Sequence, residues 1–249
     1  MRALIGSELL KIRTTRGWWG YLIVIVLLTG IAVAGDIGST KNAARGTLEF
    51  QLGLVETAGI AALLAIILGI TITATEFRHG TITPTFLAAP HRERVIGAKA
   101  TASAIVALLF TVIAFAVVAA VALTWLSLVD AEIHFGDGAV ATKAAQALLV
   151  VVLWALLGVA VGSLVHNQVV ALVGTLVWVF LGEALLSGFF GLIGIDGAAG
   201  YLPFQALDAA DGTGGNQLLS YGPAVAVSLG WVALLSAAGT ERTRRRDIT

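Results

Sequence analysis

Six long apolar runs set the terms for any fold of this chain: about residues 18 to 35, 53 to 75, 100 to 127, 144 to 165, 169 to 190 and 218 to 239. A helix rising about 1.5 Å per residue needs about 20 apolar residues to cross a hydrocarbon core about 30 Å thick. The runs reach or approach that length and are too long for barrel strands. A spanning segment must satisfy its own backbone hydrogen bonds, so the expected fold is all-α, a polytopic membrane protein with six transmembrane helices. Composition agrees. Of the 249 residues, 58% are hydrophobic and 12% charged, and the mean hydropathy is +0.94, more apolar surface than a soluble core of this size can hide. Residues 1–249 read as a single membrane domain without room for a separate catalytic one. There is no cysteine, which excludes disulfides and thiolate metal ligands.

A net charge of zero conceals an asymmetry. Arg2, Lys11, Arg13 and Arg16, then Arg78, Arg92, Arg94 and Lys99, then Arg242, Arg244, Arg245 and Arg246 flank or join the runs on one side, whereas only Lys41, Arg45 and Lys143 fall in the alternate loops. The alternate loops are acidic, with Asp36, Glu49, Asp130, Glu132, Asp137, Asp196, Asp208 and Asp211. Positive charge stays in the cytoplasm, so a multi-pass protein of the cell membrane is expected, with amino and carboxyl termini cytoplasmic.

Ala32-Val33-Ala34 after a basic leader and an apolar stretch imitates a signal-peptide cleavage site. The length of the leader and the five runs that follow favour an uncleaved first span. Residues 1–17 read as an interfacial helix: Ile5, Leu9 and Ile12 recur at i, i+4 and i+7, with Lys11 and Arg13 flanking the stripe. Trp18, Trp19 and Tyr21 follow as interfacial anchors where the chain enters the bilayer. A basic leader that only orients the first span is the alternative.

Between the second and third runs lies a polar, basic island, residues 76–99, Glu76 to Lys99. It must form a membrane-surface loop. Within it Thr83 can cap a short helix whose first residue is Pro84, where a missing N–H costs nothing, and Pro90 stops that helix about two turns later. Phe86 and Leu87 would ride on it. Arg78 can reach phosphates or an acidic partner, and Glu76 can pair with a nearby base. On spacing alone, Glu76, Arg78, Arg92, Arg94 and Lys99 are equally well read as solvated positive-inside residues.

The run Glu76-Phe77-Arg78-His79-Gly80-Thr81-Ile82, followed by Pro90, Arg92, Arg94 and Ala98-Lys99, resembles the intracellular loop of type-2 permeases of ATP-binding cassette (ABC) exporters, especially small actinobacterial-like ones. The opening Ser7-Glu8-Leu9-Leu10-Lys11-Ile12-Arg13 is similar to that family's start, and the six-span order covers essentially the whole chain. The resemblance implies a cytoplasmic coupling helix between spans two and three that docks on a separate ATPase subunit. Glu76, Phe77, Arg78, Gly80, Thr81, Pro84, Phe86, Pro90, Arg92, Arg94 and Lys99 would carry the coupling. It implies further that ATP and Mg are held by the partner ATPase, with no cofactor on this chain. A second permease subunit, the same or homologous, would complete the path, and the compound expelled would be hydrophobic or amphipathic: a drug, lipid, peptide or metabolite.

Residues 191–222 contain apolar pieces too short to span, Phe189-Phe190-Gly191-Leu192-Ile193-Gly194 among them and Tyr201-Leu202-Pro203-Phe204, broken by Gly and Pro. They suggest short extracellular re-entrant or surface helices before span six, and the resembling permeases have similar stubs; a Gly-rich loop is the alternative. Glu183, about two-thirds along the fifth run, and Glu56, near the outer end of the second, are carboxylates where a charge costs about 2.5–3.5 kcal/mol at a helix centre. Both are candidates for lining a translocation path, or for helix packing and interfacial water. His166-Asn167-Gln168 reads as a tight turn. The basic tail, residues 240–249, orients the last span and meets anionic lipid, ahead of any contact with nucleic acid.

No phosphate-cradling Gly-x-x-x-x-Gly-Lys-Ser/Thr, His-Glu-x-x-His or Gly-x-Ser-x-Gly occurs, and the four histidines lack metal-ligand spacing. A transporter subunit rather than an enzyme is expected. Two other classes compete: an intramembrane enzyme, protease or lipid-modifying, using Glu56 and Glu183 with a histidine, and a non-transporting scaffold or immunity protein.

Overall fold

The computed structural model describes residues 1–15, 17–82, 84–85, 89, 91–212 and 219–244. Among them every regular element is helical. Helix α1, Arg2–Thr14, leads. Six helices long and apolar enough to cross a membrane follow: Gly17–Ser39, Leu48–Arg78, Arg92–Leu128, Gly138–Leu164, Gln168–Leu192 and Tyr221–Arg244, called spans one to six below. Shorter pieces sit in the connections: Asn42–Arg45 before span two, then a 3-10 turn Asp196–Tyr201 and a helix Pro203–Asp211 between spans five and six.

Local chemistry marks the ends. The Thr47 hydroxyl accepts from the Phe50 amide at the start of span two. Asp137 does the same for Ala139 at the start of span four, and Asn167 for Val169 and Val170 at the start of span five. Each satisfies amides that a helix start leaves orphaned. Span two stops at His79, and Gly80 then turns the chain away with φ +69°, a conformation that glycine alone adopts at no steric cost.

Span four is the hub. It packs against spans two, three and six, and 67% of its most apolar stretch is buried. Gly158 and Gly69 permit this: a Cβ on Gly158 would collide with the Ile66 carbonyl, and one on Gly69 with the Ala155 carbonyl. Small residues let helix backbones approach where no hydrophobic force separates protein from lipid tails. Spans one, five and six are exposed over most of their length, presenting Ile23, Leu27 and Ile31, and Val173, Val177 and Phe180. Such faces match lipid rather than water.

Several boundaries differ from the sequence reading. The 76–99 loop is shorter, because Glu76–Arg78 form the last turn of span two and Arg92–Lys99 the first two turns of span three. Span three has 37 residues, about 55 Å at the helical rise, and so projects well past a hydrocarbon core. Phe189 and Phe190 belong to span five, not to a separate stub, since that helix runs to Leu192. Finally, Pro203–Asp211 is no surface piece: seven of its nine residues are buried, and it packs against spans four and six.

Candidate functional site at the basic end of the bundle

Where α1 crosses the ends of spans two and three, four charged side chains close a ring. Lys11 Nζ lies 2.6 Å from Glu8 Oε1 and 2.7 Å from Glu76 Oε1. Lys99 Nζ lies 2.8 Å from Glu8 Oε2 and 2.8 Å from Glu76 Oε1. The Lys99 ammonium also donates to the Ile72 carbonyl at 3.3 Å. Glu8 and Lys11 come from α1, Glu76 from span two and Lys99 from span three, so the ring ties three elements together.

Its energetics are those of burial. The Lys99 side chain is 1% exposed and that of Glu8 4%, and removing an ion from water costs several kcal/mol unless its charge and hydrogen bonds are matched. Two ammoniums against two carboxylates give that match, with no net charge. Burial alone would push the Lys11 ammonium down, but its hydrogen bonds to Glu76 and Glu8, with their charges, hold it above its ordinary 10.5. Lys11 therefore contributes stability that is present below pH 10.5 and lost only as pH rises through the higher folded value.

The ring includes residues that the sequence singled out and two it did not. Glu76 and Lys99 point into the protein, away from the surface. Glu8 was missed as a site residue. Its signal was position: it lies between Ile5 and Ile12 on the buried stripe of α1, where an acid needs a partner.

The remaining coupling candidates spread over the same end. Phe77 stacks on His166, ring centroids 4.1 Å apart, and Arg78 donates to Gln168 Oε1 at 3.3 Å, which joins the end of span two to the turn between spans four and five. Arg92 donates to the carbonyls of Thr243 and Arg244, and Arg242 to that of Leu164 at 2.9 Å. Cations on last-turn carbonyls satisfy both the orphan acceptors and the helix dipole. Together with the ring, these contacts put α1 and the end of span six at one end of the bundle. Arg94 is exposed on the first turn of span three. Ile82, Pro84 and Thr85 are helical, so helical structure starts ahead of Pro84; Thr81 supplies the carbonyl that accepts from the Thr85 hydroxyl at 3.2 Å. Thr83, Phe86, Leu87 and Pro90 lie outside the described residues, as do Arg16, Arg245 and Arg246.

Of the three anchors, Trp18 and Tyr21 pack on Phe110 of span three, at centroid distances of 5.6 and 5.7 Å, while Trp19 is exposed.

Glu183 and Glu56 sit at the opposite end, each with a partner. Glu183 accepts from the Phe204 amide at 2.9 Å, the Gln205 amide at 2.8 Å and the Trp178 indole at 3.2 Å. It caps the helix Pro203–Asp211 from another element, because the N-cap residue, Leu202, has no side-chain acceptor of its own. A π-helical turn, Trp178–Gly182, makes this possible by carrying residue i+5 over residue i. Within this chain Glu183 therefore braces a buried helix. Glu56 pairs with Lys143 at 2.6 Å, and Lys143 donates to the Asp211 carbonyl at 2.8 Å. Burial holds Asp211 and Asp208 at about 6, with Glu183 adding repulsion at Asp208, and with Lys143 opposing the rise at Asp211 while Glu56 and Asp208 reinforce it. Three of the four histidines are engaged elsewhere: His79 with the Thr75 carbonyl, His134 with that of Gly46, and His166 with Phe77, while His91 is exposed ahead of span three.

Compared with known proteins, the chain matches no family model and no curated relative.

Proposed function

We propose that this chain is the membrane-spanning permease subunit of an ABC exporter, working with a separate cytoplasmic ATPase and a second permease subunit. The observation that carries the reading is the buried ring of Glu8, Lys11, Glu76 and Lys99. It makes α1 and the two helix ends flanking residues 79–91 a single stiff unit. A push on that segment from a docked partner is then delivered to spans two and three together rather than absorbed in a loose loop. The ring would face the cytoplasm, where the positive-inside rule puts the basic end.

In this reading the roles divide by exposure. Glu76 and Lys99 hold the lever and touch no partner, while exposed Arg78 and Arg94 supply the docking charge. ATP and Mg would be bound by the partner, whose closure moves the lever and rocks the spans to expel a hydrophobic or amphipathic compound. The helix Pro203–Asp211, braced by Glu183, would be a re-entrant plug at the outer mouth.

The test is purification in mild detergent from the native host, followed by identification of associated subunits and nucleotide-dependent efflux from reconstituted vesicles. An ATPase subunit should co-purify, and Arg94→Glu should uncouple hydrolysis from efflux without lowering the amount of folded protein. Recovery of the chain without any nucleotide-binding partner, or turnover of a lipid or peptide by the chain alone, would overturn the assignment.

A further inference from the structure

A groove of about 460 Å³ opens where the last turns of α1 meet the start of span one and the side of span three. Sites for small molecules commonly measure about 300–1,000 Å³. Its walls include Ile12, Trp18, Trp19, Ile105 and Leu109, and Arg13 is the one ionisable side chain in its lining. Trp19, Ile105 and Leu109 are exposed, so no part of this chain closes the groove. Arg13 is exposed as well, and its guanidinium has no hydrogen bond or ion pair among the described residues. That sets it apart from its neighbours: Lys11 and Lys99 are spent on the ring, Arg78 on Gln168, and Arg92 and Arg242 on helix-end carbonyls. Arg2 and Arg94 are exposed too but do not line the groove.

Charge and depth select the occupant. The ring beside the groove is neutral, so the accessible charge here is that of Arg13, whose planar fork suits a phosphate or carboxylate. No acid is at hand to receive an ammonium: Glu8 spends both oxygens on Lys11 and Lys99, and Glu93 precedes Ile105 by twelve residues of span three, about 18 Å at the helical rise. A net anion therefore fits better than a head that carries its own cation. Lys99 marks the level of the ring, and Leu109 lies ten residues farther along span three, about 15 Å at the same rise and so about one leaflet of a 30 Å core. Trp18 and Trp19 mark the interface between head and chain, and anionic phospholipids are the acids that a leaflet supplies. We propose that the groove holds one anionic phospholipid of the adjoining leaflet, its phosphate on the Arg13 guanidinium and one acyl chain along Trp19, Ile105 and Leu109. The site needs neither nucleotide nor partner, so it stands or falls separately from the exporter assignment.

The experiment uses the full chain in neutral detergent with phosphatidylglycerol and phosphatidylcholine of matched chains. Native mass spectrometry counts the lipid retained, and phosphatidylglycerol with a diazirine halfway along one chain locates it. One phosphatidylglycerol should bind saturably, outdo phosphatidylcholine about tenfold, as expected for a charge-assisted hydrogen bond, and crosslink to residues 18–19 and 105–109. Arg13→Gln should bring the two lipids level. Arg2→Gln removes the same charge from the far end of α1 and should leave the preference intact, and both variants should keep the parent's thermal unfolding midpoint. Millimolar inorganic phosphate should not displace the lipid. Equal retention of the two lipids by the parent, an equal fall in both variants, crosslinks confined to other residues, or displacement by inorganic phosphate would each overturn the proposal.

Discussion

Lys99 of span three and Glu8 of α1 face each other at 2.8 Å, Nζ to Oε2, with both side chains nearly sealed from solvent. A charge so placed has no water to fall back on. Lys99→Met should therefore cost about 3–5 kcal/mol, because it leaves Glu8 and Glu76 as buried carboxylates with only Lys11 between them. Glu8→Gln with Lys99→Met keeps the Lys11–Glu76 pair and restores neutrality. The double variant should lose less than the sum of the singles, by about 0.5–3 kcal/mol. Denaturation midpoints in mild detergent measure this, and strict additivity would show that the ring does not act as a unit. Protease cleavage after Lys11 or Arg13 should rise in the single variant only.

Glu183 carries three donors at once, two of them the first free amides of the helix Pro203–Asp211. Glu183→Ala should cost about 2–3 kcal/mol, combining loss of a cap with stranded donors, whereas Glu183→Gln, which keeps one acceptor oxygen, should cost about half of that. Hydrogen exchange localises the effect: the amides of Phe204 and Gln205 should lose protection first. If they exchange no faster in the Ala variant, the brace assigned to Glu183 is wrong.

Gly158 and Ile66 set the distance between spans four and two. Gly158→Ala should destabilise by about 1–3 kcal/mol or more, since backbone and not a flexible side chain blocks the new methyl. Gly230, in span six, faces open space, and alanine there should change stability by no more than about 1 kcal/mol, in the favourable direction. Equal midpoints for the two variants would remove close glycine packing as the reason span four sits at the centre.

The six long apolar helices were legible because length and hydropathy suffice to mark helices able to cross a bilayer. The stripe of Ile5, Leu9 and Ile12 placed α1 on the bundle, and Ile12 is buried there. The ring was only half legible. Glu76 and Lys99 stood out as polar residues bordering apolar runs, but their inward direction depends on a crossing of α1 over spans two and three that no local pattern encodes. Both boundaries of the 76–99 island were misjudged for one reason: hydropathy marks where lipid ends, not where hydrogen bonding ends, so span three starts eight residues ahead of its apolar run. Glu183 was recognised as out of place in a span. Its partners were not, because they depend on the π-turn at Trp178–Gly182, a single-residue insertion without a sequence signature.

At the end opposite the ring, pH should act through Asp211 and Asp208. Burial raises both carboxyls from 3.8 to about 6, so the folded chain binds protons that the unfolded chain has released between those values. Stability must then fall as pH rises from about 4 to about 6 and stay lower above that, by up to about 3 kcal/mol for one group. The charges around Asp211 are Lys143, which favours the carboxylate, and Glu56 and Asp208, which oppose it. Asp211→Asn keeps the backbone carbonyl that Lys143 uses and removes the titrating oxygen pair. Unfolding midpoints at pH 4, 5, 6 and 7.5 should show the parent losing stability across the window and the Asn variant losing distinctly less, so that it is the more stable at pH 7.5. A variant with the parent's full slope would mean that the Asp211 carboxyl is better solvated than its burial beside Glu56 and Lys143 implies.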